Sequence, residues 1–247
     1  MRGAGVGHES HETRFRRLRA FDHESDPTAW GAGRLAGVDE AGVGPLAGPV
    51  VAAAVILPPD FELPELYDSK CLSAAERERC ARRIRAECVA LAVASVTPAC
   101  IDRINILNAM LRAQRRALER LAVRPLTVLV DGSRAPDLPT DWRARLRTVV
   151  RGDALSLAIA AASVLAKTTR DRCMRRLERR YPGYGFARHK GYATSDHRQA
   201  LRELGMSPVH RRSFCGFLAA EALLDRQMPL PWDAAAASEA PSQTPDS

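Results

Sequence analysis

Residues 34–57, RLAGVDEAGVGPLAGPVVAAAVIL, decide the fold class because they contain two apolar segments joined by a glycine-rich connection. The second segment, PVVAAAVIL (49–57), is a continuous apolar run bounded by prolines, which predicts a buried strand. The first segment, RLAGVD (34–39), predicts a strand that ends where two acids, Asp39 and Glu40, are adjacent. The glycines between the segments therefore predict a tight connection between two strands.

The chain beyond this pair of strands alternates between further predicted strands and helices. Further strands are predicted at 90–96, 126–131 and 147–150, and helices at 73–88, 98–121, 152–181, 194–205 and 211–226. The helix from Gly152 is apolar on nearly every face in its first half, so we expect it to lie buried against the sheet. Strands followed by helices, and then helices alone, predict an α/β fold with a helical C-terminal part.

The two ends of the chain differ in composition from its middle. Residues 1–33 are charged and lack a clear hydrophobic period, which predicts a flexible N-terminal extension. Residues 228–247 are rich in Pro, Ser and Ala, which predicts a disordered tail. One folded domain is therefore expected over residues 34–227.

The composition indicates a protein of the cytoplasm rather than of a membrane. No apolar run is long enough to cross a bilayer, and the first twenty residues are polar and rich in arginine, unlike a signal peptide. The six cysteines form no Cys-x-x-Cys pair, and no histidine lies at zinc-finger spacing from them. We therefore expect reduced thiols and a cytoplasmic location.

The chain is basic, with a formal net charge of +8 and a pI of about 9.6. Residues 228–247 contain three acids and no Lys or Arg, so the rest of the chain has 37 basic and 26 acidic residues. A basic surface fits nucleic acid or another polyanion, but many basic proteins bind neither. Charge alone does not assign a partner.

Four carboxylates are distinguished by their positions. Asp39 and Glu40 stand at the end of the first predicted strand, Asp131 ends the fourth, and Asp153 stands at the start of the buried helix. Ligands of α/β sheets bind outside the carboxyl ends of the strands. First and fourth strands are typically neighbours in such sheets, which would bring these acids together, and close carboxylates repel unless a cation lies among them. Oxygen ligands favour Mg²⁺ or Mn²⁺ over zinc.

Each acid also has a local interpretation. Asp153 suits a helix N-cap, and Asp131 followed by Gly132 suits a turn. Taken singly, these local roles are favoured because caps and turns are common. Taken together, the four acids favour a cation site.

The glycines in GVGPLAG (42–48) have a narrower set of interpretations. The stretch loosely matches the dinucleotide-binding fingerprint, but that fingerprint must open a helix, and here a predicted strand follows. No Gly-Lys-Ser/Thr follows, which excludes a P-loop. A glycine turn remains, whose main-chain N–H groups are able to approach a phosphate or a sugar hydroxyl.

Seven stretches between residues 34 and 218 resemble, in order, the type 2 ribonucleases H, in particular the bacterial ribonuclease HII family. They are GVDEAGVGPLAGPVVAAAVIL, DSKCLS, NILNAM, VDG, GDALSLAIAAASVLAKTTRDR, YGFARHKGYAT and HRRSF. The resemblance implies a ribonuclease H-like fold, with a mixed sheet flanked by helices. It also implies an endonuclease that cuts the RNA strand of RNA–DNA hybrids and the 5′ side of a ribonucleotide embedded in DNA.

The resemblance implies functions for individual residues as well. The four metal-binding acids of the family correspond to Asp39, Glu40, Asp131 and Asp153, which would hold two Mg²⁺ or Mn²⁺ ions. The substrate-binding positions correspond to Gly42, Val43, Gly44, Ser69, Lys70 and Tyr192. Main-chain groups of the glycine turn would recognise the ribose 2′-hydroxyl, and the tyrosine would stack on the adjoining deoxyribose. Ser69 and Lys70 would lie near the phosphate backbone.

Val43 departs from the family, which usually has Arg or Lys at this position. This removes a cation near the substrate phosphates and leaves the main chain in place. Three hypotheses follow: an active ribonuclease, a catalytically weakened hybrid-binding protein, and another metal-dependent nuclease of the same fold. We expect a monomer that binds RNA–DNA hybrids and ribonucleotide-containing DNA and does not bind membranes. The tail shows no aromatic-ended motif for a replication clamp, so clamp binding has no support.

Overall fold

A computed structural model describes residues 10–66, 72–140 and 142–218 of the 247-residue chain. The helices are α1 His11–Ser25, α2 Pro27–Gly31, α3 Ala74–Glu87, α4 Pro98–Ile104, α5 Ile106–Glu119, α6 Leu157–Arg180, α7 Phe186–His189 and α8 Ser195–Leu204. The strands are β1 Leu35–Ala41, β2 Val50–Ile56, β3 Ala90–Val96, β4 Thr127–Asp131 and β5 Arg145–Val149. Short 3₁₀ turns cover Gly152–Ala154 and Arg212–Phe214.

The chain divides into a large compact unit that ends at Arg211 and a small C-terminal unit that begins at Arg212. The five strands and helices α1 to α8 belong to the large unit. Of the small unit, the structure describes residues 212–218, where a 3₁₀ turn stands in place of the start of the helix predicted over 211–226.

The five strands form one mixed sheet in the order β3-β2-β1-β4-β5. β1, β2 and β3 form antiparallel pairs, while β4 runs parallel to both β1 and β5. This arrangement confirms the predicted ribonuclease H-like α/β class and the expected pairing of the first and fourth strands. Asp39 and Glu40 near the end of β1 and Asp131 at the end of β4 consequently lie at the same edge of the sheet.

Helix α6 packs on β1 and β2, and its first three turns are buried on nearly every face. Small side chains allow this close approach, since alanines fill α6 where it meets the sheet. Gly37 of β1 is required for the same reason: a Cβ there would overlap the main chain of Ala158. Every residue of β2 is buried, in keeping with its continuous apolar sequence.

The predicted flexible extension over residues 1–33 is contradicted within its described part, because residues 11–31 form α1 and α2. Phe15 and Leu18 of α1 and Trp30 of α2 are buried in the same apolar cluster as α6. Asp22 Oδ2 accepts a 2.8 Å hydrogen bond from the Ala158 amide near the start of α6. A few apolar residues among many arginines are enough to dock α1.

Two helix boundaries also differ from the sequence predictions. The helix predicted over 98–121 is broken at Asn105, which has a φ of +64° and caps α5 through its side chain. The helix predicted from Gly152 begins instead at Leu157, with Ser156 as its N-cap. Asp153 therefore lies in a 3₁₀ turn before the helix, and the N-cap interpretation of Asp153 is wrong.

Several predictions lie outside the described residues. These are Ser69 and Lys70 as phosphate-backbone contacts, the disordered tail over 228–247 and the search there for a clamp-binding motif. Within the described segments, no helix combines the length and the apolar character needed to cross a membrane.

Candidate active site

The four predicted acids border one open cavity of about 480 Å³ at the edge of the sheet where β1 and β4 end. The remaining residues around it are Ala41, Gly42, Val43, Gly44, Arg77, Ser163, Lys167 and Tyr192. The cavity thus brings together the acids, the glycine turn and the predicted stacking tyrosine, which are up to about 150 residues apart in sequence.

Asp39 and Glu40 are adjacent on β1, and their side chains interact with different helices. Asp39 is 6% exposed and has a hydrogen bond to Ser163 of α6. Glu40 Oε2 accepts a 2.8 Å hydrogen bond from Nε2 of Gln114 on α5, which is fully buried. Successive side chains of a strand point to opposite faces, so each acid is held by the helix on its own face.

Asp131 and Asp153 are held next to each other by a local hydrogen bond. Asp131 Oδ1 accepts a 2.6 Å hydrogen bond from the amide of Gly152, which fixes the end of β4 against the 3₁₀ turn. Asp153 follows directly in that turn and is 5% exposed. Gly132 has a φ of +88°, so Asp131 does precede a glycine turn, as its local interpretation expected.

Burial and repulsion from neighbouring carboxylates disfavour the charged forms of Asp39 and Glu40. Burial raises the pKa of Asp39 well above its usual range, and the charges of Glu40 and Asp131 raise it further, against the hydrogen bond from Ser163. Burial also raises the pKa of Glu40, as does Asp131, while the bond from Gln114 lowers it. A cation in the cavity would relieve this repulsion.

The donor set fits a hard divalent cation, because the four acids offer only carboxylate oxygens. As placed, however, no three His, Cys, Asp or Glu side chains in the described parts of the chain are arranged to hold a metal ion. The acids share a cavity without forming a closed shell of ligands. Side-chain adjustment would accompany metal binding there.

Two cations at the cavity were not identified from the sequence. Lys167 lies one turn after Ser163 on α6, and its Nζ is 2.9 Å from Oδ1 of Asp171. Arg77 of α3 donates to the main-chain carbonyl of Leu72. The i,i+4 spacing of Ser163 and Lys167 is the only sequence signal that places them on one helix face. Both cations would attract a polyanion to the cavity.

The glycine turn rests on two buried arginines. Gly42 has a φ of +94°, and a Cβ there would overlap the guanidinium of Arg170. Arg211 donates to main-chain carbonyls of the same turn. Neither arginine was predicted as part of the site, because arginine side chains are mostly exposed in folded proteins.

Tyr192 is 46% exposed at the cavity, and its ring centroid is 5.9 Å from the Arg170 guanidinium carbon. The loop that carries it is joined to the glycine turn, since the amide of Leu46 donates to the carbonyl of Gly191 at 2.8 Å. This hydrogen bond fixes the position of the tyrosine loop relative to the glycine turn.

Three histidines form a buried cluster behind the Tyr192 loop. The rings of His189 and His197 stack with centroids 4.4 Å apart, and Nε2 of His197 is 3.1 Å from Nε2 of His210. His197 also contacts the carbonyl of Tyr192 through Nδ1 at 2.8 Å. None of the three borders the acid cavity.

Comparisons with known proteins assign this architecture to a family. The ribonuclease HII family profile matches residues 36–217. A ribonuclease HII from Myxococcus xanthus is 49% identical over 234 residues, which cover 94% of this chain and 77% of the relative.

Two solved structures are similar at the level of the fold and the sequence. The ribonuclease H2 of Pyrococcus horikoshii has a TM-score of 0.60 at 27% identity and covers 72% of this chain and 92% of its own. The ribonuclease HII of Archaeoglobus fulgidus, solved in a complex with PCNA, has a TM-score of 0.61 at 28% identity and covers 72% of this chain and 94% of its own.

Proposed function

The chain belongs to the ribonuclease HII family and is a ribonuclease H endonuclease, and we propose that it cuts both RNA–DNA hybrids and DNA that contains single ribonucleotides. Cleavage would occur in the RNA strand of a hybrid and on the 5′ side of an embedded ribonucleotide. The products would carry 5′-phosphate and 3′-hydroxyl ends. In the cell, this activity would remove ribonucleotides from DNA in the cytoplasm.

One observation carries this proposal: four carboxylates and a glycine turn border the same cavity. Asp39, Glu40, Asp131 and Asp153 are the residues that would hold Mg²⁺ or Mn²⁺. When bound, such ions supply the Lewis acidity that phosphodiester hydrolysis needs at neutral pH. The chain's own contribution is to orient the carboxylates, through Gln114 for Glu40 and the Gly152 amide for Asp131.

The position of the cut determines what the ribose hydroxyl does. Cleavage on the 5′ side of a ribonucleotide breaks the bond between phosphorus and the 3′ oxygen of the preceding nucleotide. A water oxygen forms the new bond to phosphorus, and the 3′ oxygen leaves with a proton. The 2′-hydroxyl of the ribonucleotide lies on the other side of its sugar from this bond, so it serves recognition and not attack.

Recognition would come from three parts of the cavity wall. Main-chain N–H groups of the turn Gly42–Gly44 would bind the 2′-hydroxyl oxygen, and the exposed ring of Tyr192 would stack on the adjoining deoxyribose. Lys167 and Arg77 border the acids and would attract the phosphates on either side of the cut.

A second candidate function is a hybrid-binding protein with weakened catalysis. The exposed Val43 favours it, because this side chain borders the cavity without providing a cation. The presence of all four acids favours the active enzyme. A third candidate, a nuclease of the same fold that cuts only long hybrids, differs in its substrate.

One experiment separates the three candidates. Purified protein is incubated with Mg²⁺ or Mn²⁺ and a duplex DNA that contains one ribonucleotide, with an all-DNA duplex and a long RNA–DNA hybrid as parallel substrates. We expect a single cut on the 5′ side of the ribonucleotide and no cut in all-DNA. Binding without cleavage would support the second candidate, and cleavage of the hybrid alone would support the third.

A further inference from the structure

Arg211, the last residue of the large unit in sequence, forms hydrogen bonds to the main chain of the glycine turn. The guanidinium of Arg211 donates from Nη2 to the carbonyl of Gly42 at 2.5 Å, from Nη1 to that of Val43 at 2.8 Å and from Nε to that of Gly48 at 3.0 Å. Arg211 is fully buried. All three of its nitrogens are thus used to fix main-chain carbonyls on both sides of the turn.

These bonds determine where the N–H groups of the turn point. The described chain has no cis peptide bond, and in a trans peptide the C=O and the following N–H point in opposite directions. Because the carbonyls of Gly42 and Val43 point inward to Arg211, the amides of Val43 and Gly44 point away from it, toward the cavity they border. Two adjacent N–H groups with a common direction form a concave site for an oxygen acceptor.

The same turn has a second buried cation beneath it. Arg170 is also fully buried and donates from Nε to the carbonyl of Pro49 and from Nη2 to that of Ala47, both at 3.1 Å. Burial, and after it the charge of Arg170, lower the pKa of Arg211 to about 9, yet both guanidiniums stay protonated at neutral pH. Their positive charge behind the turn strengthens its outward amides as donors.

We propose that Arg211 is the positioning residue for ribose recognition: it turns the amides of Val43 and Gly44 outward to bind the 2′-hydroxyl oxygen of the substrate. Arg211 itself does not touch the substrate. This inference rests on the proposed function, because it assigns the cause of the ribonucleotide preference at the same site. The alternative is that Arg211 only stabilises the fold.

The two roles are separated by measuring selectivity as well as stability. In an Asp39→Asn background, which we expect to bind without cutting, Kd is measured for a duplex with one ribonucleotide and for the all-DNA duplex of the same sequence. Arg211→Lys keeps the charge but cannot form the three-pronged contact. We expect the ratio of the two Kd values to move at least fivefold toward one, while Kd for all-DNA changes less than twofold.

Phe15→Ala is the stability control, since Phe15 is also buried, in the apolar cluster shared by α1 and α6, and does not border the cavity. We expect it to lower the melting temperature as Arg211→Lys does and to keep the selectivity ratio within twofold of the parent. A folded Arg211→Lys protein with the parental ratio would overturn the proposal. Equal loss of selectivity in both variants would overturn it as well.

If Arg211→Lys does not fold, amide hydrogen exchange in the Asp39→Asn protein tests whether the amides of Val43 and Gly44 point outward. We expect the Val43 and Gly44 amides to exchange rapidly in the free protein and to be protected more by the ribonucleotide duplex than by all-DNA. Slow exchange of both amides in the free protein would show that they point inward and would refute the inference. A parent that binds the two duplexes equally, with both amides exchanging rapidly, would instead refute the proposed function.

Discussion

Gly37 of β1 lies so close to Ala158 of α6 that a Cβ at position 37 would overlap the Ala158 main chain. The sheet and the long helix therefore meet backbone to backbone at this point. The contact places Ser163, five residues further along α6, within hydrogen-bonding reach of Asp39. The geometry of the acid site thus depends on a residue without a side chain.

Gly37→Ala is expected to destabilise the protein by about 3 kcal/mol or more, because either the strand or the helix must move. The free energy of unfolding, measured by urea titration, tests this. Gly44→Ala is the control, since a Cβ there meets no atom within 4 Å. Equal unfolding midpoints for the two variants would contradict the close approach.

Asp39→Asn is expected to reduce the cleavage rate by more than about 100-fold. Loss of an outer-shell partner of a metal ligand costs roughly 10- to 100-fold, and Asp39 is itself a proposed ligand. Without divalent ions, its melting temperature should match or exceed that of the parent, because a buried carboxyl whose charged form is disfavoured is replaced by a neutral amide. Mn²⁺ should raise the melting temperature of the parent more than that of the variant. Near-normal turnover would refute the metal-site assignment.

Val43→Arg is expected to tighten binding to a ribonucleotide-containing duplex and to steepen its salt dependence. One further phosphate contact releases one further counterion, which changes the slope of log K against log salt by about −0.9. Fluorescence anisotropy across a salt series measures it. Val43→Gln, which adds length without charge, should keep the parental slope. An unchanged slope for Val43→Arg would count against a phosphate near this side chain.

Phe15→Ala is expected to cost about 3–5 kcal/mol of stability, because the ring is buried where α1 docks on the rest of the large unit. Thermal and urea unfolding measure the loss. Arg16→Ala on the exposed face of the same helix should change stability by less than about 0.5 kcal/mol. A small effect at Phe15 would show that α1 contributes little to the folded domain.

Stability is expected to fall as the pH drops from about 6.5 toward 4. Burial, and after it the neighbouring His197 and His189, lower the pKa of His210 from 6.5 to about 4. Between these values the unfolded chain binds a proton that the folded chain excludes, so protonation favours unfolding by up to about 3 kcal/mol.

Urea titrations at pH 7 and pH 5 test this dependence. His210→Gln, which cannot take up a proton, should show a smaller loss of stability over the same interval than the parent. The same loss in both proteins would assign the pH dependence to other groups.

The sequence was sufficient to predict the sheet and the convergence of the acids at its edge. It was insufficient to predict the buried arginines that contact the glycine turn. β1 and β4 end in acids after strongly apolar runs, so their pairing followed from general rules of α/β sheets. Arg170 and Arg211 could not be identified, because nothing in a single sequence distinguishes a buried arginine from a solvated one.

The N-terminal helix was missed for a related reason. Phe15 and Leu18 are two apolar residues within an arginine-rich segment, and their hydrophobic period is too short to stand out. Their burial depends on α6, which lies about 140 residues further along the chain. A segment whose structure depends on a distant partner carries a weak local signal.

The contact between Arg211 and the turn at Gly42 spans 169 residues, and this separation has a consequence for biosynthesis. All four acids have been translated by the time Asp153 has left the ribosome, whereas the residue that orients the turn arrives about 60 residues later. A nascent chain, or a product truncated before Arg211, would contain all four acids of the cavity but would lack the side chain proposed to orient the glycine turn. If Arg211 orients the turn as proposed, selectivity for ribose would be the last property of this enzyme to be completed.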